Sequence, residues 1–223
     1  MAKSKIAYVC NDCGAEYGQW QGQCSACKAW NTLSKVQLGK SSSSPATSAD
    51  FRRDGYAGAT SDVQTLANID LDALPRYSSS IGELDRVLGG GLVPGSVILV
   101  GGNPGAGKST VLLQIMCNLS ATGKKALYVT GEESLQQVGM RAKRLKLPEQ
   151  HLKMFAETNV EKICEAAQEH KPEIFVVDSI QVMHSSEVPS APGSVSQVRE
   201  SAAYLIQYAK QTNTVLILVG HVT

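Results

Sequence analysis

The sequence has no long apolar run, no dominant charge of one sign and no apolar core near its N-terminus. Its hydrophobic stretches fall well short of the roughly 20 residues that a membrane-spanning helix needs. A net charge of +1 provides no global field for nucleic acid, so any such binding must use a local patch. The first five residues, Met-Ala-Lys-Ser-Lys, lack the apolar segment of a secretory signal. We therefore expect a cytoplasmic protein without a membrane partner.

A glycine-rich segment fits the phosphate-binding pattern G-x-x-x-x-G-K-[ST]. An apolar β-branched run at 97–100 precedes it and predicts a buried strand, while apolar residues at helical spacing follow it. The glycines let backbone N–H groups turn towards a polyphosphate at the start of the helix. We expect Lys108 to reach the β- and γ-phosphates of ATP and the Ser109 hydroxyl to bind Mg²⁺. The predicted nucleotide-binding residues of this segment are Gly102, Asn103, Pro104, Gly105, Ala106, Gly107, Lys108, Ser109 and Thr110.

Four of the six cysteines form the pattern C-x2-C-x10-C-x2-C, in which each pair offers two thiolates to one tetrahedral Zn²⁺. A unit of about 30 residues would gain much of its folding energy from the metal. Disulfides are disfavoured in the cytosol, and a redox C-x-x-C is expected once, near a βαβ unit, so structural zinc is the preferred interpretation. The predicted zinc ligands are Cys10, Cys13, Cys24 and Cys27. Trp20 and Trp30 flank the second pair; we expect them to pack over the small core, with stacking on bases or a partner as the alternative.

Carboxylates follow two apolar strands at the edge where ligands bind in open α/β sheets. One strand ends at Asp178, which we expect to bind the nucleotide's Mg²⁺ together with Ser109 or through water. Serine follows Asp178, although many ATPases place the water-activating glutamate there. Glu132, after the other strand, is therefore the predicted general base, and Glu133 is the second choice. The competing interpretation is that both acids only begin a helix, where the dipole favours them.

The order of elements predicts an α/β fold with a mostly parallel sheet, preceded by a small zinc ribbon or knuckle. The expected domains are a four-cysteine zinc module at 1–36, a flexible linker at 37–68 and a P-loop ATPase core at 69–223. A serine-rich stretch at 41–48 indicates the linker. Because the last apolar strand, 214–219, is followed by so few residues, we expect the core to be truncated at its C-terminus.

Taken together, these motifs resemble the bacterial RadA (Sms) family of DNA repair proteins, which are RecA-type ATPases. The resemblance covers nearly the whole chain outside the linker. It rests on the four-cysteine module, the phosphate loop and the segments Gly82–Gly91, Gly131–Ser134, Val176–Ser179 and Gly220–Thr223. It implies a RecA-like core in a ring-forming, DNA-stimulated ATPase. Such a helicase-like enzyme promotes branch migration or other processing of recombination intermediates by ATP-driven movement on single-stranded DNA.

The resemblance also implies roles for individual residues and partners. Glu132 matches the catalytic glutamate, and His221 matches a γ-phosphate sensor. The implied partners are single-stranded or branched DNA, a recombinase or other repair proteins, and further copies of the chain in a homo-oligomeric ring. In RecA-like rings the loop after the Asp178 strand faces the central axis, so the predicted DNA contact is His184–Ser196, with Arg199 adding charge. The family's Lys-Asn-Arg-Phe-Gly motif and its protease-like C-terminal domain are missing from these residues.

Two other functions stay open on the sequence alone. One is a nucleotide-binding module with a weak or inert ATPase that recruits a partner through its zinc module. The other is a circadian-clock-like RecA-type kinase, which shares the paired glutamates but not the four cysteines. A measurement of ATP hydrolysis with and without single-stranded DNA distinguishes the DNA-stimulated ATPase from these two alternatives.

Overall fold

The computed structural model describes residues 5–38, Thr65, Ala67 and 75–221. The first of these segments forms a three-stranded antiparallel sheet in the order β2-β1-β3. Its strands are β1 (Lys5–Cys10), β2 (Glu16–Tyr17) and β3 (Leu33–Leu38). Strand β3 runs two residues past the expected end of the zinc module at 36. Most of the expected linker, 37–68, lies outside the described residues.

The larger unit alternates strands and helices, as the sequence predicts. Its elements are α1 (Gly82–Val87), β4 (Val97–Gly102), α2 (Lys108–Ala121), β5 (Ala126–Thr130), α3 (Leu135–Arg144), β6 (Lys153–Ala156), α4 (Val160–His170), β7 (Ile174–Asp178), α5 (Val195–Thr212) and β8 (Val215–His221). A single 3₁₀ turn, Ile180–Val182, follows β7. Among the described residues, no helix is both long and apolar enough to cross a membrane.

The five strands of the core lie in the order β4-β8-β7-β5-β6, and every neighbouring pair is parallel. This confirms the predicted α/β class with a mostly parallel sheet. The run at 97–100, however, was expected to be buried, and Leu99 is 68% exposed. The reason is that β4 pairs with β8 alone among the described strands, so one of its edges has no neighbour there. Parallel register also brings the carboxyl ends of the strands to one edge of the sheet.

Two apolar layers cover the sheet, one on each face. Alternate residues of a strand point to opposite faces, and the two buried clusters follow that alternation. Tyr128, Val176 and Ile217 face the layer that contains α2 and α3. Phe175 and Leu216 face the layer that contains α4 and α5, where the Phe175 ring meets Tyr208 edge-on with centroids 5.8 Å apart. The sheet between these layers positions the loops at its carboxyl edge.

Candidate nucleotide and zinc sites

The loop between β4 and α2 contains two glycines in the left-handed backbone region. Gly105 and Gly107 have φ angles of +78° and +88°, a region that side chains other than glycine's rarely adopt. A Cβ placed on either glycine would have no heavy atom within 4 Å, so space lies in front of the loop. Gly107 is the N-cap of α2, whose helix dipole and first N–H groups favour an anion at this end. The loop therefore fits a polyphosphate, as the sequence predicts.

Lys108 lies across this loop. Its Nζ donates to the carbonyl oxygens of Gly102, at 2.7 Å, and Asn103, at 2.9 Å. The same Nζ is 3.5 Å from Nδ1 of His221. The contact arises from strand pairing, because β4 and β8 are neighbours with Gly102 opposite His221. Two residues that were predicted on separate grounds therefore meet at the phosphate loop.

Glu132 is held on the other side of His221. Its Oε1 lies 3.4 Å from Nε2 of His221 and accepts a short hydrogen bond from the Ser179 hydroxyl. Thr130 and Asp178 are opposite each other in the β5–β7 ladder, and the N–H of Gly131 donates to the Asp178 carbonyl at 2.8 Å. These main-chain contacts place Ser179, which follows β7, beside Glu132, which lies two positions beyond β5. The side chain of Glu132 is 39% exposed, so solvent reaches it.

Ser179 is a residue whose role sequence reasoning missed. The position attracts notice in the sequence because it lacks the glutamate found in many ATPases. The side chain that stands there is completely buried, and its hydroxyl contacts the glutamate supplied by another strand. A serine directly after a strand-end aspartate was the available signal, but its partner depends on the pairing of β5 with β7.

Glu133 has a different environment from Glu132. Both of its carboxylate oxygens lie within hydrogen-bonding distance of Nη2 of Arg141, at 2.5 and 2.7 Å. Its main-chain N–H and C=O are both bonded to the Thr130 hydroxyl, at 3.1 and 2.9 Å. One cation thus engages both oxygens of Glu133, which makes them less available to a water molecule. The geometry therefore favours Glu132 over Glu133 as the general base.

Asp178 is at the carboxyl end of β7 and only 9% exposed. Its Oδ2 accepts a hydrogen bond of 2.6 Å from the hydroxyl of Tyr128, which is 1% exposed. Burial and then the adjacent Asp178 carboxylate raise the pKa of Tyr128 far above its ordinary value, so the phenol stays protonated and donates. The carboxylate of Asp178 and the hydroxyl of Ser109 are oxygen donors of the kind that Mg²⁺ prefers. Tyr128 is a second residue that sequence reasoning missed.

The four predicted zinc ligands come together in the small sheet. Their Sγ atoms all lie within 4.8 Å of one another. Two of the contacts are 3.6 Å, between Cys10 and Cys27, and 3.5 Å, between Cys13 and Cys24. Four sulfurs bound tetrahedrally at about 2.3 Å would be separated by roughly 3.8 Å. The thiols therefore fit one zinc ion with little movement.

The protonation chemistry of the cluster also suits a divalent cation. The N–H of Cys27 and the hydroxyl of Tyr17 lower the pKa of Cys24 to about 6. At Cys27 the N–H of Ala29 acts in the same direction, but desolvation and the other cysteines together raise the pKa to about 12. Without a cation, one ionised thiol hinders ionisation of the next. A bound metal removes this conflict, because coordination stabilises every thiolate.

The tryptophans contradict the expectation that they pack over the small core. Trp20 is 57% exposed and Trp30 is 70% exposed. The buried cluster there consists of Cys10, Cys24 and Leu33, with further apolar side chains packed against it. Around the metal ligands so small a core leaves no space for two indole rings. The rings instead lie on the surface, where both approach Gly22.

The predicted DNA loop is shorter than expected, because Ser194 caps α5 and Ser196 is already helical. One buried side chain organises this loop. Nε2 of Gln197 lies 2.9 to 3.2 Å from the carbonyl oxygens of three loop residues, and its Oε1 accepts from the N–H of Ser185 at 2.9 Å. Arg199 is exposed, as is the acidic Glu187. Sequence reasoning missed Gln197, since a glutamine near a helix start rarely signals a role.

Comparison with known families decides how the large unit is classified. Residues 67–223 match the family model described as AAA domain. The chain belongs to the AAA domain family. Residues 8–35 match a second model, described as rubredoxin metal binding domain, which agrees with the cysteine cluster. The AAA domain indicates an ATPase, and the small domain indicates a zinc module.

Individual relatives match the whole chain. DNA repair protein RadA of Haemophilus influenzae is 62% identical over 225 residues, and the match covers 100% of this chain and 48% of that protein. The proteins of the same name from Escherichia coli and Bacillus subtilis are 58% and 43% identical, with the same coverage of both chains. These matches confirm the resemblance to RadA. The chain spans about half the length of the curated relatives it matches.

Proposed function

We propose that this AAA domain chain carries the ATP-hydrolysing and zinc-binding parts of a DNA-stimulated ATPase that acts in homologous recombination and DNA repair. The observation that carries the ATPase role is the line of contacts from Lys108 through His221 to Glu132, with separations of 3.5 and 3.4 Å. The names of the relatives support the repair role. Within that role, ATP-driven movement on single-stranded DNA promotes branch migration of recombination intermediates.

Nucleotide binding starts at the phosphate loop. N–H groups around Gly105 and Gly107 surround the phosphates, and the dipole of α2 adds to the attraction. Lys108 exchanges its two carbonyl contacts for phosphate oxygens, which are stronger partners because they are charged. Ser109 and Asp178 would hold the Mg²⁺ of the nucleotide, which would neutralise phosphate charge. Binding thus requires a local rearrangement of Lys108 while the sheet stays fixed.

Hydrolysis then depends on a positioned water molecule. Glu132 accepts the proton of the attacking water, and Ser179 holds the carboxylate in a single orientation. His221 lies between this base and Lys108, so it contacts both the nucleophile's side and the phosphate side of the reaction. That position suits a residue that senses the γ-phosphate. Loss of the γ-phosphate frees Lys108 to return to the loop carbonyls.

DNA binding is proposed for the loop at 184–194, in a ring of several copies. One loop carries little positive charge, and Arg199 at the start of α5 is an exposed cation beside it. Repetition of such weak contacts around a ring raises the total affinity. Contacts with phosphates make that affinity fall as the salt concentration rises. A single copy should therefore bind single-stranded DNA weakly and without sequence preference.

A second candidate function is recruitment of a repair partner, such as a recombinase, by the zinc module. The observation that favours it is the exposure of Trp20 and Trp30 on one small surface. Exposed tryptophans are enriched at protein interfaces. Four cysteine ligands leave no open coordination position, so the module's role is structural or recruiting rather than catalytic.

Exchange of Glu132 for glutamine tests the ATPase assignment. Glu132→Gln should bind ATP as the unchanged protein does but hydrolyse it roughly 10²–10⁴-fold more slowly, because the amide cannot accept the water proton. Glu133→Gln is the matched control, and its hydrolysis should fall far less. The measurement is single-turnover hydrolysis by the full-length protein, with and without single-stranded DNA. A slow Glu133→Gln beside a fast Glu132→Gln would reverse the assignment, and hydrolysis unaffected by DNA would reject DNA stimulation.

A further inference from the structure

Tyr128 reaches the nucleotide edge of the sheet from inside the core. It is the middle residue of β5 and lies opposite Val176, two residues before Asp178 on β7. Alternate residues of a strand share a face, so Tyr128 and Asp178 lie on the same side of the sheet. That side is the one packed against α2, the helix that begins at the phosphate loop. The phenol oxygen is 2.6 Å from Oδ2 of Asp178.

The partner of the phenol is unusual for a core tyrosine. A buried tyrosine needs some hydrogen-bond acceptor, and a main-chain carbonyl satisfies that need without further consequence. Here the acceptor is an ionisable side chain at the edge where nucleotide binds. The bond joins a side chain of the apolar layer to a carboxylate at the end of the neighbouring strand. The phenol is 1% exposed, and its hydroxyl donates to Oδ2 of Asp178 at 2.6 Å.

We propose that Tyr128 is a positioning residue that fixes the Asp178 carboxylate for Mg²⁺ and the nucleotide. The bond engages Oδ2, restricts rotation of the carboxylate and leaves Oδ1 for the cation or its water. The inference rests on the proposed function, because it assumes that Asp178 binds the Mg²⁺ of the nucleotide. It adds a residue that lies outside every recognised nucleotide motif of the chain.

Removal of the hydroxyl alone tests the proposal. In the full-length protein, Tyr128→Phe keeps the ring that packs under α2 and deletes only the donor. The Mg²⁺ concentration that gives half-maximal strengthening of fluorescent ADP binding should rise roughly tenfold, as expected for a lost bond to a charged group. Affinity measured in EDTA should stay unchanged, because Asp178 then has no metal to bind. For hydrolysis, the requirement for Mg²⁺ should rise more than kcat at saturating Mg²⁺ falls.

Two controls separate this role from a packing effect. Tyr208→Phe alters another buried tyrosine, on the opposite face of the sheet, and should leave the Mg²⁺ dependence unchanged. Asp178→Asn should lose most of the Mg²⁺ dependence. If Asp178→Asn retains it, the magnesium role of Asp178 in the proposed function fails. If Asp178→Asn loses it while Tyr128→Phe matches the unchanged protein, the positioning role alone is overturned.

Should Tyr128→Phe not fold, fluorinated tyrosines at position 128 keep both the ring and the hydroxyl. Fluorination makes the phenol a stronger donor, so the Mg²⁺ titration of ADP binding should shift with the degree of fluorination. A titration that stays the same across the series would contradict a positioning bond. The melting temperature of each variant is measured as well, and the shift in the Mg²⁺ titration should not correlate with it.

Discussion

Gly131 packs closely against core side chains and lies directly before Glu132, the predicted general base. It links β5 to Glu132, and its N–H donates to the carbonyl of Asp178 at 2.8 Å. A Cβ at Gly131 would lie 2.6 Å from Cγ2 of Val182, 2.8 Å from Cε of Met183 and 3.2 Å from Cγ2 of Thr158. The first two distances are shorter than real Cβ contacts ever are. Gly131→Ala therefore forces neighbouring atoms to move.

The cost follows from which neighbours must move. Val182 is β-branched and has little rotamer freedom, and Met183 is completely buried, so its flexible end has no open space. Overpacking of this kind costs about 1–3 kcal/mol. In a chain of this size 1 kcal/mol changes the melting temperature by about 2–4 °C, so we expect Gly131→Ala to melt roughly 2–12 °C lower. Hydrolysis should fall by up to about 10²-fold, because Glu132 is the next residue and small misplacements are costly.

The assay is thermal unfolding followed by far-ultraviolet circular dichroism, together with ATP turnover below the transition. Gly139→Ala is the control, and it should change stability in the opposite direction. A Cβ at this position in α3 has nothing within 4 Å. Alanine there should stabilise the protein by about 0.5–1 kcal/mol through helix propensity. A Gly131→Ala variant that melts with the unchanged protein and hydrolyses ATP normally would refute the packing of the 3₁₀ turn against the Glu132 loop.

Three further predictions concern the other parts of the chain. Lys108→Ala should abolish tight nucleotide binding in an ADP anisotropy assay, and unchanged hydrolysis would reject the phosphate-loop assignment. Metal analysis of reduced protein should find one zinc per chain, lost in Cys10→Ser, while the ATPase core melts as before; full retention by this variant would reject the site. Replacement of residues 187–193 by a Gly-Ser stretch should weaken salt-sensitive binding of single-stranded DNA, measured by anisotropy. Equal binding before and after replacement would indicate that DNA binds elsewhere, at the basic residues Arg141, Lys143 and Arg144 of α3 or at the zinc module.

The phosphate loop and the zinc cluster could be predicted from sequence because their geometry is set locally. Gly107 has its positive φ whatever strand lies beside it, and the two C-x-x-C turns each need only a few residues. The layers of the core follow from the same kind of local signal, because strand residues alternate and helix residues recur at fixed spacing. Whether a strand lies at the edge of a sheet depends on distant residues rather than on its own. For this reason Leu99 was wrongly expected to be buried.

The burial of apolar residues in the small zinc module was also hard to predict from the sequence. Trp20 and Trp30 are the largest apolar side chains of the zinc module, and hydrophobicity alone places such residues in a core. Cys10, Cys24 and Leu33 already occupy the small interior, so both rings lie outside it. Where a metal replaces a hydrophobic core as the source of stability, apolar residues lose the reason to be buried.

Short sequence patterns were enough to identify the chemical groups that the chain carries: a phosphate loop, a strand-end aspartate, paired glutamates and four clustered thiols. Which of these groups lie side by side depends on how the strands pair. Lys108 meets His221 across 113 positions because β4 and β8 pair with Gly102 opposite His221. Glu132 meets Ser179 because β5 pairs with β7. The physical reason is that propensity and spacing act within a few residues, whereas strand order and register are set by the burial of the whole sheet between its two helical layers.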